Sequence, residues 1–566
     1  MSSAPFQPRG AVSAHDRERR LSAASSASTS TAYSAAPGDV RTWARRRREE
    51  DALSEGDAEE GDEADEAAPR AEQGSAWDRI ARWAEPTLEA APISSLSHEG
   101  RSHPWRLEAA LILRSTLPIW GTHLLEMSNN AAGIVSIGHL GTTELAAAAL
   151  SNMTANVSGF AMLAGFVGAL DTVLPPVYSS NPRTMGIWAQ RMMLLIGVLL
   201  LPVLAVWLNT ERLLLLLGQD AEVSALAGRY LQILSLGLPA YAGFEIARRY
   251  LQAEGFFFAP TLVLLVTTPL NIALQIILVP RIGFIGAPIA IVAFLWASLL
   301  LGALQICFFS RVEWSGWSAA AFRDLGPLAR IGAASSISVG LEWWSWEIVA
   351  LLTSRLGTFA LAAQSILLTS SNISYQLAYA LSTAAAVRIG NLLGASLPHD
   401  AKRAAETSLW LSVLAGLFNS LVFIALRDTW GSFFTSDERT VALVRDILPL
   451  LALFQVADAI CGVAGGVLRG TGRQSASAAL NMIAYYVIGI PIGLFLTFGP
   501  MQAGLHGLWT GLTIALAFGA AMSLALISRT NWDAEVDKAA RLSGEQAPLL
   551  GPVGEAARTR TETGAA

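Results

Sequence analysis

Charged residues are scarce in this 566-residue sequence: Asp, Glu, Lys and Arg make up 15% of it, against about 25% in an ordinary soluble protein. That scarcity excludes a soluble globular chain. Cysteine is nearly absent too. Cys307 and Cys461 both lie in apolar runs, where neither a structural disulfide nor a zinc cage is expected, and they carry no information on compartment. His123, His139 and His506 stand apart from any metal-like spacing, which favours structural histidines over ligands. There is no phosphate loop with its lysine, no Ser/His/Asp set and no paired metal motif; Gly390, Gly394, Gly465 and Gly470 fall within or at the ends of helical segments. ATP hydrolysis therefore has no support, no cofactor is expected, and any uphill work must draw on an ion gradient. The first residues, rich in Ser, Ala and Arg, lack the apolar core of a cleavable signal peptide, so an internal span is expected to lead insertion.

What is present is apolar surface: 52% hydrophobic residues and a mean hydropathy of +0.43. The remaining charge is partitioned. Residues 1–107 hold 19 acids and 14 bases, residues 529–566 hold six and five, and the 421 residues between hold 20 of each. The net charge of -6 thus belongs to the ends and presents no basic face for nucleic acid. Residues 21–37 are rich in Ser, Ala and Thr, and acids alternate with Ala and Gly through 49–66; such stretches bury too little to offset their ordering entropy, and disorder is expected. Arg45 to Arg48 read as a solvated cluster, with anionic lipid as the sharper alternative. Trp77, Ile80, Trp83 and Leu88 recur at helical spacing and predict a short interfacial helix.

From Leu107 to Arg529 the sequence contains twelve segments of the roughly 20 apolar residues a membrane helix needs. An internal repeat organises them. Leu140-Gly141-Thr142 returns as Leu356-Gly357-Thr358, each followed by Leu-Ala-Ala at Leu145 and Leu361, an offset of 216. Asp220 with Ala225-Leu226 returns as Asp437 with Ala442-Leu443, and Tyr250-Leu251-Gln252 as Val467-Leu468-Arg469, at 217. Six spans per copy is an even number, so both copies enter from one side: a parallel repeat related by an axis along the membrane normal, with a cavity expected between the halves. The predicted fold is an all-α polytopic membrane protein with twelve transmembrane helices in two pseudosymmetric six-helix lobes. Its expected parts are a disordered cytoplasmic N-terminal tail (1–106), an N-lobe (107–310), a cytoplasmic linker (311–327), a C-lobe (328–529) and a cytoplasmic C-terminal tail (530–566).

Loop bases set the orientation. One side holds Arg183, Arg248, Arg249, Arg311, Arg323, Arg330, Arg388, Lys402, Arg403, Arg469 and Arg473, the other Arg212, Arg281, Arg355, Arg427 and Arg439. Eleven against five predicts both tails in the cytoplasm.

Glu126, Glu245, Glu342, Glu347 and Asp458 fall inside spans, where an ionised carboxylate costs at least about 2.5 kcal/mol and should face a partner, a cavity or a proton. In Gly340-Leu341-Glu342-Trp343-Trp344-Ser345-Trp346-Glu347 the two carboxylates stand roughly 140° apart on a helix, so only one points squarely at a small site. Trp346 is one turn from Glu342 on the same face, a pairing of carboxylate and indole that suits an organic cation; packing or lipid contact is the alternative for Trp343, Trp344 and Trp346. Glu126 is the repeat equivalent of Glu342 and is read either as a second protonation site, with Asn129 one turn beyond, or as a residue locked by polar partners. Asp458 precedes the small-residue run Cys461-Gly462-Val463-Ala464-Gly465-Gly466, which permits close helix approach. Facing each other, Glu342 and Asp458 would form a proton carrier or, with carbonyl and Asn oxygens, a sodium site. Asp171 and its repeat neighbour Arg388 read as structural or gating residues at helix ends.

Over residues 108 to 530 the sequence resembles the multidrug and toxic compound extrusion (MATE) transporters, and within them the eukaryotic branch. Four motifs carry the resemblance: Gly138-His139-Leu140-Gly141 with Glu144-Leu145-Ala146; Ala169-Leu170-Asp171-Thr172; Leu341 to Glu347; and Gly466-Val467-Leu468-Arg469-Gly470-Thr471-Gly472-Arg473-Gln474 followed by Tyr485-Tyr486-Val487. The resemblance implies two six-helix lobes in a V around a central cavity, and export of organic, often cationic, compounds against protons or sodium. It places Glu342, Glu347 and Asp458 at the family's acidic positions, and Trp343, Trp346, Asn129 and Tyr486 are the residues expected to line the cavity. The sequence departs from the family at Val173-Leu174-Pro175-Pro176-Val177, where Cys-Gly-Gln-Ala is common, at Thr369, where animal relatives have glutamate, and near 132–136, where bacterial relatives have aspartate. The expectation is a monomeric, non-enzymatic antiporter among membrane lipids, in the plasma or vacuolar membrane. A flippase for lipid or lipid-linked oligosaccharide is the alternative, and would be expected to carry a basic cavity.

Overall fold

The computed structural model describes residues 105 to 542, apart from 313 and 315. The expectations for Arg45 to Arg48, for the Trp77 to Leu88 helix and for disorder at 21–37 and 49–66 lie outside the described residues. Among those residues every regular element is a helix. The N-lobe comprises α1 (Trp105–Gly138), α2 (Thr142–Ser180), α3 (Met185–Leu208), α4 (Ala221–Leu234 and Leu238–Ala253, joined by a 3-10 turn), α5 (Phe258–Ile282) and α6 (Gly286–Phe309). The C-lobe repeats the order with α7 (Leu325–Ser354), α8 (Thr358–Gly394), α9 (Pro398–Ala425), α10 (Glu438–Gly470), α11 (Gln474–Phe498) and α12 (Leu505–Ser528). Seven stretches are long and apolar enough to cross a bilayer by length and composition, one of which, Phe258–Phe309, holds both α5 and α6. The helices outside them are α1, α4, α7 and α8, which carry Glu126, Glu245, Arg248, Arg249, Glu342, Glu347 and Arg388. Their polarity is the cost of what they place inside the bundle.

The repeat is visible in the turns. Both α2 and α8 start immediately after a glycine of the Leu-Gly-Thr motif, and Gly357 has φ 100, ψ 173, a conformation that only glycine adopts without strain. The two lobes have separate apolar cores. One centres on Leu163, Leu170, Trp207, Tyr230 and Tyr250, the other on Leu367, Leu448, Leu451, Phe454 and Trp509.

The lobes meet at the face where α1 begins and α12 ends, here termed the terminal face. Ile112 and Ile119 of α1 pack with Ala380, Leu381, Ala384 and Val387 of α8. Residues 165–177 of α2, 244–257 around the end of α4 and 380–393 of α8 are buried without interruption. The Pro175-Pro176 departure explains itself there: α2 continues through both prolines to Ser180, and they seat against Gly390 and Gly394 of α8, where an added Cβ would come within 2.8 Å of Pro175 Cβ and 2.3 Å of the Pro176 carbonyl oxygen. Higher up, Gly165 of α2 lies against the backbone of Ser336 in α7, whose hydroxyl donates to Met162 O at 2.8 Å.

Among the described residues, α12 is followed by one more helix. Trp532–Leu542 forms α13, which packs Trp532 and Ala539 on Ile389, Leu392 and Ala404 of the C-lobe. Glu535 accepts from Arg473 at 2.6 Å, and Lys538 donates to Thr471 O and Gly472 O at 2.8 and 3.0 Å. A cation on the last carbonyls of α10 completes that helix end.

Candidate functional site: an acid pair in one lobe and its neutralised copy in the other

In the C-lobe, α7 supplies Glu342 and α10 supplies Asp458. Asp458 is buried and Glu342 half-buried, and the two charges act on one another. Both also act on Tyr375 of α8, Tyr485 of α11 and Cys461 of α10. Among the described residues neither carboxylate has an ion-pair or hydrogen-bond partner; the nearest cation whose field reaches Glu342 is that of Arg469. The backbone makes this packing possible. Gly462 lets the Tyr375 ring approach to 3.1 Å of where a Cβ would be, and Gly466 admits the backbone of Ser382. A π-helical turn at Met482–Gly489 rotates Tyr485 inward, while Tyr486 donates its hydroxyl to Leu341 O at 3.1 Å, one residue from Glu342. Such turns are frequent at functional sites. The structure thus places Glu342 and Asp458 within electrostatic reach of one another, on α7 and α10.

The tryptophans separate. Trp346 is half-buried and packs on Phe454 and Trp509 at the edge of the C-lobe core, with centroids 5.8 and 6.0 Å away. Its ring is therefore engaged in packing, the alternative that the helical spacing left open. Trp343 is exposed, and Trp344, also exposed, directs its indole N–H to Val157 O of α2 at 3.5 Å. Glu347 is half-buried. Asn129 belongs to a polar ladder within the N-lobe, donating to Thr268 at 3.0 Å and accepting from Asn271 at 3.1 Å, with Gln275 next in line.

Glu126, the repeat partner of Glu342, has quite different surroundings. Arg248 donates to it at 2.7 Å and His123 Nδ1 lies 2.9 Å away. Arg248 also pairs with Glu245 at 2.8 Å, Glu245 accepts from Arg249, and Arg249 Nε sits 3.3 Å from Asp171. Asp171 in turn lies 3.9 Å from Arg469 of the C-lobe, whose guanidinium donates to Ser382. Removing one member of such a buried network leaves an uncompensated charge.

Two carboxylate–arginine contacts therefore cross between the lobes at the terminal face. Asp171 faces Arg469, and Glu108 of α1 holds Arg388 of α8 through two bonds of 2.8 and 2.9 Å. Thr172 donates to Arg469 O at 2.6 Å and accepts from Gln474; Asn391 reaches Ala253 O at 3.3 Å. Asp171 and Arg388 do not pair with each other; each bridges to the opposite lobe. Sequence reasoning counted Arg248, Arg249, Arg388 and Arg469 as loop bases, but all four lie in helices, three of them buried, and take part in these networks. Arg330, Lys402 and Arg403 also lie in α-helices, as do Arg212, Arg281 and Arg439 of the other side, so the bases outside α-helices number four (Arg183, Arg311, Arg323 and Arg473) against two (Arg355 and Arg427). Glu108 and Tyr375 carried no signal in the sequence beyond their position within spans, whereas Tyr485 was marked by the Tyr485-Tyr486-Val487 motif.

A MatE family model matches residues 118–277 and 334–495, one stretch in each lobe. The chain belongs to the MATE family. The proteins it is similar to include an uncharacterized transporter of Schizosaccharomyces pombe, 38% identical over 453 residues (79% of this chain, 84% of the relative), and Multidrug and toxin extrusion protein 2 of Mus musculus, 32% identical over 444 residues (77% and 76%). Among solved structures it is similar to the eukaryotic MATE transporter AtDTX14, with 27% identity, a TM-score of 0.71 and coverage of 78% of this chain and 99% of that one. MATE structures have twelve membrane helices in two lobes, the fold described above. MATE proteins are multi-pass membrane transporters of small organic compounds, not enzymes.

Proposed function

We propose that this MATE protein exports organic cations in exchange for protons, with Glu342 and Asp458 as the exchange site. The observation that carries the reading is the contrast between lobes: the C-lobe acids have no fixed cation bonded to them among the described residues, whereas Glu126 has Arg248. A buried pair of like charges needs a neutralising partner, and a mobile one serves when no side chain does. Substrate cation and proton then compete for one pair of carboxylates, which is the minimal chemistry of antiport. Tyr375, Tyr485 and Cys461 around the pair offer O–H and S–H groups suited to a carboxylate that gains and loses a proton; sodium would call for a fuller shell of oxygens.

The terminal face is taken as cytoplasmic, with the lobes closed there and the site released toward the other side. Neutralising the pair changes the cost of burying α7 and α10, and each ligand moves the equilibrium only through its differential affinity for the two states. Plasma or vacuolar placement, a monomeric state and surrounding lipid complete the reading. A flippase for phosphate-bearing lipid is disfavoured because Arg248, Arg249 and Arg388 are already engaged with carboxylates. Efflux from proteoliposomes with the pH and sodium gradients clamped in turn tests the proposal: export of a fluorescent cation should follow the pH gradient in wild type and fail in Glu342→Gln and Asp458→Asn. Gradient-driven export that persists in both variants would refute it.

A further inference from the structure

We infer that Arg248 is a built-in counter-cation for the N-lobe copy of the acid site, occupying Glu126 where the C-lobe copy takes an exchangeable cation, so that Arg248 sets how many protons the transporter trades per substrate. This rests on the exchange reading above. The repeat itself supplies the comparison. Glu126 corresponds to Glu342, and at the offset of 217 Tyr241 corresponds to Asp458. The same offset aligns Glu245, Arg248 and Arg249 with Gly462, Gly465 and Gly466. One lobe has three charged side chains on the helix face that in the other is bare glycine.

That substitution has opposite consequences in the two halves. In the C-lobe the glycines let Tyr375 and Ser382 close onto α10, leaving the acids without a fixed cation bonded to them. In the N-lobe the guanidinium of Arg248 reaches both Glu126 at 2.7 Å and Glu245 at 2.8 Å, while Arg249 bridges Glu245 to Asp171. Glu126 nonetheless keeps 35% of its side-chain surface, so it is held by its partner rather than sealed from ions. The groups that face it among the described residues are His123 on α1, and Tyr241, Glu245 and Arg248 on α4, with Tyr379 of α8 edge-on to His123 at 4.9 Å. Without Arg248, Glu126 loses its only arginine and keeps His123 at 2.9 Å, while Glu245 stays paired with Arg249; Glu126 then stands, like Glu342, without a fixed guanidinium bonded to it.

The experiment counts protons released when ethidium binds the purified, unbuffered transporter. Arg248→Gln should raise the count by about one per substrate through proton linkage, and Arg248→Lys should keep the wild-type count. In Glu126→Gln, and in the double variant Glu126→Gln with Arg248→Gln, which leaves neither side of that pair orphaned, the count should also match wild type. A wild-type count in a folded Arg248→Gln, or a lowered count in Glu126→Gln, overturns the inference. Glu342→Gln is the control for the underlying reading: its count should fall, and if it does not, the exchange site itself is misassigned whatever Arg248 does.

Discussion

Breaking the Glu108–Arg388 pair should open the terminal face. Both side chains are nearly sealed, with 3% and 5% of their surface exposed, and the carboxylate takes two parallel bonds at 2.8 and 2.9 Å from one guanidinium. Removing one partner of a buried pair of this kind costs about 3 to 5 kcal/mol, because the other charge is left unpaired. The bonds cross from α1 to α8, so that cost falls on the closed arrangement and is relieved when the lobes part and water enters. At about 1.4 kcal/mol per tenfold, Glu108→Gln should shift the balance toward terminal-face opening by two orders of magnitude or more. The assay is alkylation of a single cysteine placed at Ala384 in a background lacking Cys307 and Cys461, with a membrane-impermeant maleimide applied from the terminal side. Labelling should be slow with the native pair, fast in Glu108→Gln and in Arg388→Gln, and largely slow again when the charges are exchanged as Glu108→Arg with Arg388→Glu. Unchanged labelling in both single variants would show that the pair is not part of the seal.

Trp346→Ala should cost about 3 to 5 kcal/mol of stability through the cavity left beside Phe454 and Trp509, whereas Trp343→Ala should leave the thermal midpoint nearly unchanged and alter transport; equal midpoint losses would contradict the placement of the two rings. Gly394→Ala puts a methyl 2.3 Å from the Pro176 carbonyl oxygen, and should either destabilise the closed face or speed labelling at position 384; a neutral result by both measures would contradict the close approach. Glu254, in the turn between α4 and α5, is buried and bonded to Ser310 and the Arg311 N–H, and burial raises its pKa from 4.5 to about 7. The folded state therefore binds the proton more tightly than the unfolded chain, so stability is fullest below about pH 4.5 and declines as pH rises toward 7. Glu254→Gln should remove that part of the pH dependence in a thermal-shift series; an unchanged slope would refute it.

Much of the architecture was legible because the repeat is written into the chain twice. A nearly constant offset fixed the number of lobes and their parallel sense, and it pointed to Glu126 and Glu342 as equivalent positions. What it could not show was their inequivalence, since the cation that distinguishes them, Arg248, is 122 residues from Glu126 and joins it only through the tertiary fold. Positions near helix ends misled for the same reason: Arg388 and Arg469 read as loop bases until their partners on the other lobe are known. Helical spacing placed Trp346 beside Glu342 but carried no sign of Phe454 and the α12 indole of Trp509, which pack against the ring. The α13 helix was hidden by composition, its charges resembling a solvated tail although Glu535 is spent on Arg473.

The central claim is that one unpaired acid pair serves proton and substrate in turn. Calorimetric titration of a permanently charged organic cation into the purified transporter, repeated in buffers of different ionisation enthalpy, measures the protons exchanged on binding. The account predicts net proton release in wild type that is abolished in the Glu342→Gln, Asp458→Asn double variant. Binding that releases no protons in wild type, or release that survives loss of both carboxylates, would contradict it.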